Sequence, residues 1–275
     1  MKTATIAVSG ATLYYEIRGA GPLLLVLQGG DGDAGRNADL VARLADDYTV
    51  VTYDRRGLSR SHLDDPGAPV TLETHADDAH RLLAELTDRP ALLFGSSFGA
   101  LTGLILASRH PARVDTLVAH DPATARLLDD AARARITGEL ADLEEIFRRD
   151  GVLAALKRLG ELVAADFADR EPDVRLPEPP DARRIANLEF FFSRDITAMV
   201  EAPFTAADAT ALKESPVRVV PAAGRASRNI WNYECAEALA ALLGTGVVEF
   251  PGGHSLSTHP KAFAARLHEV LADRG

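Results

Sequence analysis

The sequence predicts an α/β fold in which helices cover both faces of a mostly parallel sheet and an all-helical cap is inserted after the sixth strand. Two observations predict this class. Short, continuously apolar runs alternate with amphipathic stretches at both ends of the chain, as is typical of parallel strands buried on both faces. Between these two regions, residues 123–213 contain helix-like stretches and no convincing strand.

The first half of the chain alternates strand and helix. Strands are predicted from apolar runs bounded by glycine-rich turns, at residues 6–8, 12–17, 23–27, 49–53, 91–94 and 114–119. Helices are predicted from apolar residues at helical spacing, at residues 38–44, 71–86 and 100–109. A polar loop is predicted over residues 54–69.

The middle of the chain has a different pattern. Amphipathic stretches predict helices at residues 125–149, 152–167 and 182–200, with a proline-rich loop over 169–180. Alternation then resumes with strands at 217–221 and 247–250 and helices near 233–243 and 260–271. The proline-rich loop could instead be an inter-domain linker, but both ends of the segment return to one sheet. The prediction is therefore a core domain of residues 1–122 and 214–275, with a helical cap domain of residues 123–213.

Composition and charge exclude several classes of protein. Hydrophobic residues make up 47% of the 275 and charged residues 25%, which is typical of a folded domain and not of a disordered chain. The net charge of −10 disfavours nucleic acid and anionic membranes as partners. No apolar run reaches the ~18 residues of a membrane-spanning helix, and residues 1–5 lead into a strand without a signal-peptide core. We therefore expect a cytoplasmic protein.

Metal and disulfide chemistry have little support in the sequence. The one cysteine, Cys235, cannot form an internal disulfide or a multi-thiolate metal site. His75 and His80 lie five residues apart on a predicted helix, and no H-E-x-x-H motif occurs. We therefore expect neither a metal nor a cofactor. The oligomeric state stays open, a homo-oligomer included.

The strongest local motif is Gly95-Ser96-Ser97-Phe98-Gly99, a G-x-S-x-G. It follows a predicted buried strand and opens a predicted helix, where a sharp strand–turn–helix elbow lifts a serine hydroxyl clear of the sheet. Flanking glycines suit crowded backbone positions. The structural alternative is a small-residue turn that packs helix against strand. Ser97 is the candidate nucleophile, and Ser96 is out of register.

A serine hydroxyl is a weak nucleophile until a base accepts its proton. His254 is the candidate base, because it follows Gly252-Gly253 after the last predicted strand and precedes the closing helix. His259 is the alternative, but it directly precedes Pro260 and is predicted to begin that helix. A carboxylate is then needed to orient the imidazole and stabilise its cation.

With these motifs, nearly the whole chain resembles the α/β-hydrolase superfamily. Gly95–Gly99 resembles its nucleophile elbow and Gly253-His254 its histidine turn. Gln28-Gly29-Gly30 stands where that superfamily has its oxyanion loop, and residues 54–59 resemble its loop after the fourth strand. In most members the acid follows the strand that corresponds to residues 217–221, but here no carboxylate precedes Glu234, which is predicted to be helical.

The resemblance implies a second solution, in which the acid follows the strand after the nucleophile helix. Asp121 occupies that position, at a carboxyl end of the sheet, where ligands bind in such folds. The alternative is that Asp121 caps the first helix of the cap. Asp54 is a less favoured acid, because its loop more often serves structure. The order Ser97, Asp121, His254 is that of the superfamily.

The resemblance also implies an oxyanion hole. One donor is the N–H of Phe98, directly after the nucleophile, and the other comes from the turn of residues 28–30, with Gly30 preferred over Gly29. Gln28 departs from the His-Gly of many relatives, and its amide either braces the loop or donates directly. A phosphate-binding loop is disfavoured at this glycine-rich turn, because the G-x-G-x-x-G spacing and the lysine of a P-loop are absent.

Substrate contacts are expected from apolar residues of the cap and of the loop after residue 221. The candidates are Phe191, Phe192, Met199 and Trp231, although aromatic clusters at helical spacing also form core. The expected substrate is a small, hydrophobic, uncharged ester or lactone. Within the superfamily, the Gln-Gly-Gly loop, the early aspartate and the helical cap resemble bacterial lactonases of resorcylic macrolactones such as zearalenone.

Alternative functions share this sequence pattern. Hydrolysis of C–C bonds and a haloperoxidase-like activity use the same triad, whereas epoxide and haloalkane hydrolysis are disfavoured because those relatives need an aspartate where Ser97 stands. A non-hydrolytic ligand receptor or scaffold on the same fold is the alternative from another class of protein.

Overall fold

The computed structural model describes residues 1–273. These residues contain nine strands of one sheet, which in chain order are β1 (Lys2–Val8), β2 (Ala11–Arg18), β3 (Leu23–Leu27), β4 (Thr49–Tyr53), β5 (His62–Leu63), β6 (Ala91–Ser96), β7 (Val114–His120), β8 (Arg218–Gly224) and β9 (Val248–Phe250). Their spatial order is β1-β2-β4-β3-β6-β7-β8-β9, with β5 paired to β2. The pairs β1–β2, β2–β4 and β2–β5 are antiparallel. The remaining pairs, which run in spatial order from β4 through β3, β6, β7 and β8 to β9, are parallel. The predicted α/β class is thus confirmed.

Ten α-helices lie in the same part of the chain. They are α1 (Ala38–Leu44), α2 (Leu72–Leu86), α3 (Phe98–Arg109), α4 (Asp130–Asp150), α5 (Val152–Leu162), α6 (Ala182–Phe190), α7 (Ile196–Glu201), α8 (Ala206–Lys213), α9 (Trp231–Leu243) and α10 (Pro260–Ala272). A π-helical turn, Phe191–Asp195, joins α6 to α7. Within residues 1–273, no helix combines the length and the apolar character that crossing a bilayer requires.

Strand β3 shows why the parallel strands are apolar throughout. Successive side chains of a strand point to opposite faces of the sheet. Leu24 and Val26 belong to a buried cluster with residues of α1 and α10, whereas Leu25 and Leu27 belong to another with residues of α2 and α3. Helices cover both faces, so neither face of β3 can carry polar side chains.

Three elements differ from the prediction, and one of them is helix α8, which lies in a stretch where no helix is predicted. His62–Leu63 pairs with Ala11 and Thr12 of β2, inside the stretch that composition predicts as loop, so the helical insertion follows the seventh strand in chain order. Two residues are too few to produce a periodic pattern, and this strand forms only because β2 lies beside it. The predicted helix at 182–200 is also interrupted by the π-helical turn, which shifts the side chains that follow it.

Between β7 and β8 the described residues form helices, turns and loops, and no strand. Apolar residues of these helices, including Ile136, Leu188 and Phe192, belong to the same buried cluster as residues of α3. The insertion therefore packs against the face of the sheet that α3 covers.

A buried ion pair holds the loop after β4 to α2. The guanidinium of Arg56 donates from Nε to Oδ2 of Asp78 at 2.7 Å and from Nη2 to Oδ1 at 2.5 Å. Arg56 also donates to the carbonyl of Ser9 at 3.1 Å. Both side chains of the pair are buried, so each neutralises a charge that would be costly alone.

Candidate active site

Ser97 lies on a sharp turn between β6 and α3. Its backbone angles, φ 54° and ψ −117°, fall in a region that non-glycine residues rarely adopt. The turn is held by the Ser97 N–H, which donates to the carbonyl of His120 at 2.9 Å, and by the Ser97 carbonyl, which accepts from Ala100 at 3.0 Å. Such strain persists only where the surrounding structure enforces it, and it clusters at functional sites.

Two glycines allow this turn to pack against the sheet. A Cβ on Gly95 would lie 2.6 Å from the carbonyl oxygen of Gly99, and a Cβ on Gly99 would lie 2.0 Å from that of Leu27. Both contacts are with backbone atoms, which cannot move without displacing β3 or α3. The glycines of the G-x-S-x-G motif are therefore steric requirements.

Asp121 and His254 form a hydrogen-bonded pair beside this turn. Asp121 directly follows β7 with φ 44°, and its carboxyl group is completely buried. The Nδ1–H of His254 donates to Oδ2 of Asp121 at 3.1 Å. Because an ionised carboxylate only accepts hydrogen bonds, the proton lies on Nδ1 and the Nε2 atom is left as the basic nitrogen.

The region from the end of β8 to the start of α9, where the resemblance implies the acid of most relatives, supplies hydrogen-bond donors to Asp121. The N–H of Gly224 donates to Oδ1 at 3.1 Å, and the hydroxyl of Ser227 donates to Oδ2 at 2.7 Å. The Asn232 side chain donates to the Asp121 carbonyl at 3.1 Å. Sequence reasoning missed these three residues, since none has an ionisable side chain and each lies more than 100 positions from Asp121.

Burial opposes ionisation of Asp121, but the imidazoles of His120 and His254 and the hydrogen bond from Ser227 outweigh it. The pKa of the Asp121 carboxyl is thereby lowered to about 2. The group is consequently ionised at neutral pH and can stabilise a cationic His254.

His120 lies behind this carboxylate in an aromatic environment. Its ring is completely buried, with centroids 5.7 Å from Phe250 and 5.1 Å from Phe263. Neither ring nitrogen has a hydrogen-bond partner among residues 1–273. Burial lowers the pKa of His120 to about 4, so the ring is neutral at pH 7.

This pKa predicts a pH-dependent loss of stability that a phenylalanine would remove. As the pH falls below the ordinary value of ~6.5, the unfolded chain binds a proton at residue 120 before the native protein does, so stability is lost between about 6.5 and about 4. The free energy of unfolding, measured with urea, should fall between pH 7 and pH 4 in both proteins. We expect this fall to be smaller in His120→Phe than in the wild type, by on the order of 3 kcal/mol. A phenylalanine at the half-exposed His268 serves as the control. Equal losses in the wild type and His120→Phe would contradict the prediction.

The glycine turn after β3 approaches Ser97 closely. A Cβ on Gly29 would lie 3.4 Å from the Cβ of Ser97. The carbonyl of Gly29 accepts from the N–H of Gly32 at 2.8 Å. Since the carbonyl and the N–H of a trans peptide point in opposite directions, the Gly30 N–H points away from this turn.

Gln28 braces the loop. Its Nε2 donates to the carbonyl of Arg36 at 2.9 Å, and its Oε1 accepts from the Asn37 side chain at 2.9 Å. The side chain is buried and does not line the cavity beside Ser97 and His254.

A cavity of about 1170 Å³ adjoins Ser97 and His254. Gly29 and Gly30 also line it, and its apolar wall includes Phe191, Met199 and Trp231. Phe192, a further candidate for substrate contact, instead packs in the core, with its ring centroid 5.7 Å from Phe147.

Charged side chains line the cavity as well. Arg184 donates to Asp31 at 2.6 Å, whereas the guanidinium of Arg36 has no hydrogen-bond or ion-pair partner among residues 1–273. Burial lowers the pKa of Arg36; Arg184 adds to this effect, and Asp31 and Asp33 oppose it. Arg36 therefore has donors available to a ligand.

The alternative catalytic residues make other contacts. Both carboxylate oxygens of Asp54 accept backbone hydrogen bonds, Oδ1 from Ala34 in the loop after β3 at 2.7 Å and Oδ2 from Arg60 in its own loop at 2.9 Å. Glu234 pairs with Arg135 at an exposed site. Nδ1 of His259 is hydrogen-bonded to the hydroxyl of Thr258 at 3.0 Å, directly before the start of α10.

Comparisons with known proteins agree with this architecture. A profile of the alpha/beta hydrolase fold matches residues 22–211. The uncharacterized hydrolase YraK of Bacillus subtilis (strain 168) is 39% identical over 276 residues, which cover 98% of this chain and 96% of YraK. The enol-lactonase of Burkholderia xenovorans LB400 superposes with a TM-score of 0.72 at 24% identity, covering 98% of this chain and 100% of the lactonase. A thermophilic esterase of Thermogutta terrifontis gives 0.70 at 21% identity, covering 98% of each chain. The chain belongs to the α/β-hydrolase fold family.

Proposed function

We propose that this protein is a serine hydrolase of carboxylic esters or lactones, with Ser97 as nucleophile, His254 as base and Asp121 as the orienting acid. One observation carries the proposal. Ser97, on a strained elbow, and His254, with its proton held on Nδ1 by Asp121, line the same cavity. A serine hydroxyl on the cavity wall and an oriented basic nitrogen beside it are what acyl transfer requires.

The proposed reaction proceeds through an acyl-enzyme. Ser97 Oγ attacks the substrate carbonyl carbon while His254 Nε2 takes the hydroxyl proton, and the carbonyl oxygen becomes negatively charged. The N–H groups of Gly30 and Phe98 stabilise that oxyanion. His254 then returns the proton to the leaving alcohol oxygen as the C–O bond breaks. Water, deprotonated by His254, releases the acid and restores Ser97. In a lactone the acid and alcohol remain one molecule.

Residues 123–213 are proposed to act as a cap that shapes the substrate site. They supply Phe191 and Met199 to the cavity wall, and Trp231 of α9 adds to its apolar part. A Cβ on Gly30 would lie 3.7 Å from the Phe191 ring, so the cap touches the oxyanion loop itself. An acyl or alcohol group packed there would be shielded from water.

A label-and-turnover assay tests the proposal. We expect a fluorophosphonate probe to label the wild type at Ser97, and labelling to be lost in Ser97→Ala, because the probe reports an activated serine. Ser96→Ala is the matched control, as it removes the adjacent hydroxyl and should keep the label. An unlabelled wild type would overturn the hydrolase proposal and favour a ligand receptor on this fold.

Substrate class is then resolved by a panel. It contains p-nitrophenyl esters of neutral acyl groups, matched esters that bear a distal carboxylate, and lactones including zearalenone. Opening of zearalenone would support the macrolactone hypothesis, whereas ester turnover without it would reject that subgroup. The carboxylate esters test the expectation of an uncharged substrate, because Arg36 on the cavity wall offers free donors. A vinylogous 1,5-diketone included in the panel tests C–C bond hydrolysis.

A further inference from the structure

Arg55 is a buried arginine that contacts the oxyanion loop. It follows Asp54 in the loop after β4, and its side chain is only 2% exposed. Nη2 donates to the carbonyl of Gly30 at 2.5 Å, and Nη1 lies 3.4 Å from the carbonyl of Gln28. The guanidinium carbon lies 4.4 Å from the ring centroid of Phe98, within cation–π range.

These contacts surround the peptide that would donate to an oxyanion. The Gly30 N–H belongs to the peptide between Gly29 and Gly30. The carbonyls of the peptides before and after it, those of Gln28 and Gly30, are both held by Arg55. Phe98, whose N–H is the other expected donor, contacts the same guanidinium through its ring. One side chain thus touches both residues of the oxyanion hole.

Arg55 is in turn anchored by the helical insertion. Its Nη2 donates to Oδ2 of Asp195 at 2.7 Å, and Nε2 of His75 lies 3.3 Å from Oδ1 of the same carboxylate. Asp195 ends the π-helical turn that begins with Phe191, and its side chain is completely buried. Burial opposes ionisation of Asp195, but the Arg55 charge and the contact with His75 outweigh it and lower its pKa. The arginine and the aspartate are therefore both charged.

We propose that Arg55 is a positioning residue that sets the orientation of the oxyanion loop, and that Asp195 couples this loop to the helical insertion. The inference rests on the proposed hydrolase function and assigns a role to residues that touch no substrate. Two carbonyls, an aromatic ring and a carboxylate all contact this one guanidinium, and a simple point charge could not reach all four. The insertion would thereby influence catalysis as well as substrate shape.

The test replaces the whole pair, because removing one partner would leave a buried charge and endanger folding. The double variant Arg55→Met/Asp195→Leu replaces the buried ion pair with apolar side chains of similar size and removes the hydrogen bonds to Gln28 and Gly30. Its matched control is Arg56→Met/Asp78→Leu, which removes the adjacent buried pair but none of the contacts to residues 28–30 or 98. Circular dichroism and thermal unfolding establish that both variants fold.

We expect kcat for a p-nitrophenyl ester to fall about 100- to 1000-fold in the Arg55/Asp195 variant, with KM changed less than about threefold, since an oxyanion-hole donor acts mainly in the transition state. Affinity for a trifluoromethyl ketone, which adds to serine to form an oxyanion, should fall in parallel. The control should keep kcat within about threefold of the wild type.

The outcomes separate this inference from the proposed function. Equal kcat values in the two folded variants, with Ser97 still labelled by fluorophosphonate, would overturn the positioning role and leave the hydrolase intact. A rise in KM with unchanged kcat would also overturn it, because the pair would then act on binding alone. An unlabelled wild type would overturn both. If Arg55→Met/Asp195→Leu does not fold, Arg55→Lys replaces it, with Arg56→Lys as control and the same expected ranking, because lysine keeps the positive charge of the pair but cannot make the several contacts of a guanidinium.

Discussion

Replacing Asp121 with asparagine is expected to lower kcat by about four orders of magnitude while the protein stays folded, as for the buried aspartate of serine-protease triads. The orientation of the new amide follows from its partners. An amide NH₂ at the Oδ1 position would face the backbone N–H of Gly224, which cannot move aside, so the NH₂ takes the Oδ2 position. There the Ser227 hydroxyl can rotate to accept, and His254 Nδ1 must also accept. The imidazole proton then sits on Nε2, which can no longer take the proton of Ser97.

The measurement is steady-state turnover of a p-nitrophenyl ester, with thermal unfolding to establish the fold. Ser227→Ala is the matched control, because it removes a hydrogen bond to the same carboxylate but leaves the tautomer of His254 unchanged. We expect it to lose no more than about 100-fold in kcat, as a hydrogen bond to a charged group contributes roughly 1.5–3 kcal/mol. Unchanged turnover in Asp121→Asn would show that the acid lies elsewhere.

Gly99→Ala is expected to destabilise the protein by about 3 kcal/mol or more and to abolish activity in any protein that folds. The new methyl group would lie 2.0 Å from the carbonyl oxygen of Leu27 and 2.7 Å from that of Gln28. Both atoms belong to the backbone of β3 and of the oxyanion loop. Relief of the overlap must therefore move the nucleophile elbow away from the residues that complete the site.

Urea unfolding and turnover together check this prediction. Gly138→Ala is the matched control, since Gly138 lies in α4 and a Cβ there would meet nothing within 4 Å. That substitution should stabilise the protein by about 0.5–1 kcal/mol, because alanine loses less backbone entropy in a helix. A Gly99→Ala protein as stable and active as Gly138→Ala would contradict the close contact between the elbow and the Leu27 carbonyl of β3.

Short-range patterns in the sequence were enough to predict the sheet and the elbow. Burial of both faces of β3 requires apolar side chains at every position. The continuous apolar run of residues 23–27 therefore predicts by itself a strand that is buried on both faces. The elbow at Ser97 needs glycines at fixed offsets, and these too are local. Such local patterns also indicate Ser97 and His254. The family resemblance indicates Asp121, because the residues themselves leave its role as a helix cap open.

The tertiary structure decided which side chains complete the site. Asp121 accepts from Ser227, 106 positions away, and Arg55 pairs with Asp195, 140 positions away. Neither pair has a sequence spacing that predicts it, since the strands and the insertion bring the partners together. Likewise, only the packing of the insertion places Phe191 on the cavity wall and Phe192 beside Phe147 in the core. A sequence specifies its elements through local periodicity and backbone sterics, whereas the hydrogen bonds that orient a catalytic group depend on long-range packing.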